Sequence, residues 1–246
     1  MLCAGAGRCM HRLLFVFAIA LYTAHASAQT QCGNAPTTRP LAINPAKQPH
    51  LPIAVETPIW KTITVGGSKG VNAFRVAIEA APCPMTIGDD ADEALGRPAF
   101  PFVKTPFELD LVVLSTFDLG FGDETSRNDP ELAASVDVSL HDIYARAITL
   151  GFELCPAEVG PALRLNYLNQ PLDEFLRIAM KPVALYSGAL VAFTVGNGGA
   201  SLLLGGRNGH PDVEVPGATR FVFVRPRPDT VAGGIVRDGG GNLVQR

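Results

Sequence analysis

Residues 139–151, SLHDIYARAITLG, are the clearest helix in the chain, and what surrounds them decides the fold class. Ser139 and Asp142 have the spacing of a capping box, with Asp in place of the usual Glu or Gln. Leu140, Ile143, Tyr144, Ala147 and Ile148 then recur at helical spacing, and Gly151 is a natural left-handed terminator. Upstream, residues 109–117 (LDLVVLSTF) are dense in apolar and β-branched side chains and predict a buried strand. Downstream, strands are expected at 190–195, 201–204 and 220–224. Residues 162–168 alternate Leu163, Leu165 and Tyr167 against Arg164 and Asn166, which predicts a half-exposed strand. The ambiguous segment 175–183 is also read as strand. Asn197-Gly198 and Asn208-Gly209 sit where tight turns call for positive φ.

Nearer the start, residues 60–65 predict a strand and Gly66-Gly67 a break. Val71, Phe74, Ile78 and Ala81 mark a helix that Ala81-Pro82 stops. A shorter helix is expected over 88–95, with Asp89 as N-cap and acidic residues in its first turn. The fold class is therefore α+β: two main helices and a mostly antiparallel β-sheet in a single domain over residues 59–225.

The ends read differently. Arg8, His11 and Arg12 precede ten apolar residues, 13–22, and then Ala26-Ser27-Ala28. That order predicts a secretory signal peptide over 1–28, with cleavage before Gln29. The apolar run is half the ~20 residues of a membrane-spanning helix, so no stable span is expected after cleavage. Residues 29–58 hold six prolines and predict a flexible leader, and 226–246 a flexible Gly-rich tail. The expected location is the periplasm or the exterior.

Of the 20 Lys+Arg, two lie in the signal segment, leaving 18 against 23 Asp+Glu. This mildly acidic balance gives no reason to expect a nucleic-acid partner. Apolar residues at 47% indicate a folded chain rather than a disordered one. Cys32, Cys83 and Cys155 follow the signal segment. Export favours one disulfide among three possible pairings, and Cys83–Cys155 is the pairing expected, because both lie among structured segments. No Cys or His spacing suits a metal, and no cofactor is implied.

Several motifs have a chemical reading and a plainer one. Gly66-Gly67-Ser68-Lys69-Gly70 matches Gly-x-Ser-x-Gly, but an esterase would need His141 or His210 within reach of Ser68. The same loop with Lys69 could instead hold an anion, or simply turn the chain. Asp89-Asp90-Ala91-Asp92-Glu93 lacks the alternation and glycine of an EF-hand, so helix capping suits it better. Gly196-Asn197-Gly198-Gly199-Ala200 lacks the third glycine and following helix of a dinucleotide site, and reads as a hairpin turn.

Residues 151–180 are the richest in polar groups. Glu153 and Glu158 flank Cys155, and paired carboxylates could act as general acid and base in a hydrolase working on a glycan or peptidoglycan. Their side chains would then converge in one concave pocket, the carboxyl groups about 5–10 Å apart. Arg164, Tyr167 and Gln170 are the candidate ligand-binding residues. The plainer alternative is that Glu158 is structurally paired while Pro156 and Pro161 shape a link. With no complete catalytic set, the leading expectation is a non-catalytic binding domain of the cell envelope, its partner a small molecule or an envelope component.

The phrases LGFELCPAEVGPALRLNYLNQP (150–171), EFLRIAM (174–180) and RFVFVRPR (220–227) resemble those of a family of small, uncharacterised bacterial proteins. The likeness spans residues 60–227. It implies one compact domain closing at the third phrase, and brings no activity or catalytic residues with it.

Overall fold

Along residues 111–114 and 221–224 successive side chains go to opposite sides of one sheet, and both sides are buried. The register shows it: Leu111 faces Val224 and Val113 faces Val222 on one side, while Val112 faces Phe223 and Leu114 faces Phe221 on the other. A strand buried on both faces has to read as a near-continuous apolar run, as LDLVVLSTF does.

The computed structural model describes residues 53–227, 236–237 and 243–244. The expected signal segment, most of the leader with Cys32, and most of the tail lie outside the described residues. The elements begin with α1 (Ile53–Glu56), β1 (Lys61–Val65), α2 (Val71–Glu79), β2 (Met85–Ile87), α3 (Asp89–Gly96) and β3 (Phe107–Ser115). Then come α4 (Glu124–Asn128), α5 (Pro130–Ser135), β4 (Asp137–Ser139), α6 (Leu140–Thr149) and α7 (Val159–Asn166). The C-terminal part is β5 (Phe175–Ile178), β6 (Val183–Ala184), β7 (Leu190–Asn197), β8 (Leu202–Asn208), β9 (Glu214–Pro216) and β10 (Arg220–Arg225). The main sheet runs β1-β3-β10-β5-β7-β8-β2, with β6 beside β7, and β4 pairs with β9 apart from it. Only β10–β5 and β8–β2 are parallel, so the sheet is mixed and mostly antiparallel, as expected of an α+β chain.

Helices cover the first face along its length. Ala91, Ala94 and Leu95 of α3 and Val159, Ala162 and Leu163 of α7 pack on Leu176, Ile178, Val195 and Leu204 of the strands. Gly160 lets α7 lie directly on β7, since a Cβ there would stand 2.6 Å from the Phe193 ring. On the second face α6 contributes Leu140, Ile143 and Ala147 against Val112, Leu114, Phe221 and Phe223. Ala54 of α1, within the stretch expected as leader, is buried in this second core and bonds its N–H to the Leu150 carbonyl.

The helix that opened the sequence reading forms as expected. The Ser139 hydroxyl accepts the Asp142 N–H at 3.1 Å. Gly151 takes φ +92°, and the Phe152 and Gly151 amides return to Ala147 and Ile148 carbonyls, the double bond of a Schellman end.

The two main helices expected are in fact several, with α2, α3, α6 and α7 all of eight to ten residues, and four further expectations are corrected. Residues 162–168 are not a strand but the end of α7 and its exit, because Leu163 and Arg164 are both fully buried and the alternation carried no inside–outside signal. Gly88, not Asp89, caps α3, and Asp89 lies in its first turn. In the glycine turn after β7 the positive φ belongs to Gly199, and neither Asn208 nor Gly209 has one. Finally, Cys155 is a free, buried thiol donating to the Val222 carbonyl at 3.3 Å, so the Cys83–Cys155 disulfide is not formed. Cys83 is also buried, and its partner is not Cys155.

Candidate functional site

Glu158 starts α7 and is 1% exposed. Its two carboxylate oxygens accept the backbone N–H of Gly66, at 3.2 Å, and of Val103, at 2.8 Å. Of the glycine loop, the Gly66 amide alone reaches this carboxylate, and the second donor, Val103, comes from outside the loop. Glu153 is exposed and pairs its backbone with Val224 at the end of β10. The two carboxylates do not face each other across a pocket, because one is sealed inside the first face and the other stands at the surface.

The remaining polar candidates are also internal. Arg164, 0% exposed, donates to the Gln170 side chain at 2.6 Å, the Gly196 carbonyl at 3.1 Å and the Tyr167 carbonyl. Burial lowers its pKa to about 10, since no carboxylate compensates the lost hydration. Gln170 spends its amide on the carbonyls of Glu174 and Val195. The Tyr167 hydroxyl donates to Glu174 at 2.8 Å, and Arg220 holds the other oxygen of Glu174 at 2.6 Å. Burial first, then the Glu174 carboxylate, raises the Tyr167 pKa. Arg164, Tyr167 and Gln170 are thus a brace that fixes residues 167–174 to the end of β7.

Ser68 bonds only within its own turn, to Gly70, at 3.3 Å. His141 begins α6 on the second face and His210 lies in the loop after β8, so neither serves Ser68 as a base. Asp92 pairs with Arg75 at 2.7 Å, and Glu93 accepts the Tyr186 N–H. Among the described residues no group of three His, Cys, Asp or Glu could hold a metal ion, and no helix is long and apolar enough to cross a membrane. Residues 196–200 form the β7–β8 turn, where Asn197 accepts the Gly199 N–H at 3.0 Å.

The open space lies elsewhere. The α6 layer covers the second face only over β3 and β10. Beyond β10 the same face of β5, β7 and β8 is bare and lines a cavity of about 650 Å³, closed on one side by Pro216, Ala218 and Thr219. Register places Phe175 opposite Gly196, Arg177 opposite Thr194, and Arg207 opposite Ala192. Arg177 shares the face of Phe221, with its guanidinium 5.7 Å from that ring, and donates to the Asn208 carbonyl at 2.7 Å. Neither Arg177 nor Arg207 is in an ion pair among the described residues. Burial, and to a lesser degree the charge of Arg207, lowers the Arg177 pKa.

No part of the sequence reading pointed to this groove. Its one local trace is that Phe175, Arg177 and Arg207 fall on a face whose other strands carry Phe221 and Phe223, and that needs the strand order to be seen.

Sheet, helical layers and groove together define an α+β domain with one fully covered sheet face and one half-covered face. Compared with models of protein families, with curated proteins and with solved structures, the chain matches none.

Proposed function

We propose that this chain is an exported, non-catalytic binding domain of the cell envelope, with the groove over β5, β7 and β8 as its ligand site. One observation carries the reading. The groove is of the size small-molecule sites have, and beside the Arg220–Glu174 pair it holds Arg177 and Arg207, neither in an ion pair among the described residues. The groups that sequence offered for chemistry, by contrast, are spent on the chain's own backbone or exposed singly. Glu158 has no free oxygen to act as acid or base, so the positions of Glu153 and Glu158 lend the hydrolase alternative no support.

Export rests on the basic, apolar and A-x-A order of residues 1–28. The likeness to small bacterial proteins supports the domain's end at residues 220–227 and adds no activity.

Chemical-shift mapping of the isotope-labelled full chain against a small-molecule envelope extract tests the site. Perturbations are expected at 172–177, 192–196, 203–207 and 216–219. Perturbations confined to other surfaces, or turnover of an extract component, would overturn the proposal.

A further inference from the structure

We propose that the groove takes a small amphiphilic anion, its carboxylate or phosphate held by Arg177 and Arg207 and its apolar part lying on Phe175. This deepens the reading of the groove as the ligand site and rests on it.

Charge comes first. Arg177 of β5 and Arg207 of β8 project from the same face on either side of β7, opposite Thr194 and Ala192, and the charge of Arg207 raises the cost of keeping Arg177 charged. The planar guanidinium fork matches an oxyanion with two parallel donors, which makes arginine the usual partner of carboxylate and phosphate. Arg177 is already steadied by the Asn208 carbonyl and the Phe221 ring, while the Arg207 side chain is exposed and makes no hydrogen bond among the described residues. One cation is therefore fixed and the other is free to close on a ligand.

Asp173 and Glu174 line the groove and Asp89 and Asp90 adjoin it, but none pairs with Arg177 or Arg207. Glu174 is committed to Arg220 and Tyr167. Asp173, held by the Asn197 carbonyl, sits at the far end of β7 from Ala192, roughly 17 Å away at the rise of a strand. Asp89 and Asp90 line an adjoining hollow of about 340 Å³ that shares Thr194 and Arg207, but neither comes within ion-pair distance of Arg207.

Between the two ends the floor is apolar or small. Phe175 is 42% exposed and Leu172 57%. The Phe175 ring lies across Gly196, where an added Cβ would stand 2.3 Å from it, so only glycine lets the ring lie flat against the strand. A ligand reaching from the arginines toward Phe175 would cover that ring. The cavity's volume suits a small molecule rather than a macromolecular surface.

The test titrates the full chain with phenyl phosphate, phenylacetate, neutral 2-phenylacetamide and inorganic phosphate, by calorimetry and by shifts of the arginine Nε–H and Phe175 signals. At least one aromatic anion is expected to bind with shifts at Arg177, Arg207 and Phe175, and at least about tenfold more tightly than phenylacetamide, the loss expected for one charge-assisted contact. Tighter binding of phenyl phosphate identifies a phosphate ligand, and of phenylacetate a carboxylate. Arg207→Gln, at an exposed residue, should weaken the anion about tenfold, leave phenylacetamide unchanged and keep the unliganded melting midpoint. Equal binding of phenylacetamide in the groove would overturn the anion while sparing the groove. Inorganic phosphate binding as tightly as phenyl phosphate would overturn the amphiphile. Absence of groove shifts with all four probes would overturn the site itself.

Discussion

The second face of the sheet has two halves made from the same alternating pattern and put to opposite uses. Over β3 and β10 it carries Val112, Leu114, Phe221 and Phe223, all buried under α6. Over β5, β7 and β8 it carries Phe175, Arg177, Thr194, Gly196 and Arg207, and no helix lies on it. The first half contributes stability through apolar surface removed from water, about 1.5–3 kcal/mol for each large side chain. The second half keeps an aromatic ring and two cations in reach of solvent, which adds little to stability. A sheet face becomes a site where its cover stops, and α6 stops at β10.

Truncation across the boundary should divide the two halves most clearly. Phe223→Ala opens a cavity beneath Phe152 and Tyr144 and is expected to cost about 3–5 kcal/mol. Phe175→Ala, with its ring already 42% exposed, should cost less than about 1 kcal/mol in the same denaturant titration. Equal costs would mean that the open half is not open.

Glu158→Gln sharpens the contrast between internal and external anion sites. Glutamine keeps one acceptor for the amides of Gly66 and Val103 and turns an N–H toward the other, at a cost of about 1–3 kcal/mol. Binding at the groove should be unaffected, because Glu158 lies beneath the first face. Coupled loss of both would show that the two sites are not separate.

A smaller effect is expected from alkali. Burial raises the Cys155 thiol above its ordinary value of 9.0, so the folded state holds the proton more tightly than the unfolded chain. This contribution is complete below the unfolded thiol's pKa and is lost as pH rises above it. Cys155→Ala should therefore flatten the decline in melting temperature above pH 9, and wild-type protein should react with a thiol reagent only as it unfolds. Rapid labelling of Cys155 in the folded protein would contradict its burial.

Smallest of all, Arg207→Gln should change stability by less than about 0.5 kcal/mol, since Arg207 is exposed and makes no ion pair among the described residues. Its effect belongs to ligand affinity.

The candidate site illustrates where local reading fails. Arg164, Tyr167 and Gln170 drew notice because polar groups crowd one stretch of chain, yet each is satisfied by backbone that arrives from elsewhere. Gly196 is 32 residues from Arg164, and Gly66 is 92 from Glu158. Polar residues beside one another in sequence look free when their partners are distant. Arg164 also disguised α7, because a buried arginine between leucines imitates the alternation of a half-exposed strand.

By itself the sequence determined the elements whose signals are local: the capped and glycine-ended α6, the apolar strands β3 and β10, and hence an α+β chain. Local sterics, capping bonds and side-chain periodicity act within a few residues, so they are written where they act. Tertiary structure alone decided which carboxylate was sealed on backbone amides, which cysteine stayed a thiol, and which half of a sheet face was left bare. Those outcomes depend on contacts between residues far apart in the chain, and no periodicity records how far a covering helix reaches.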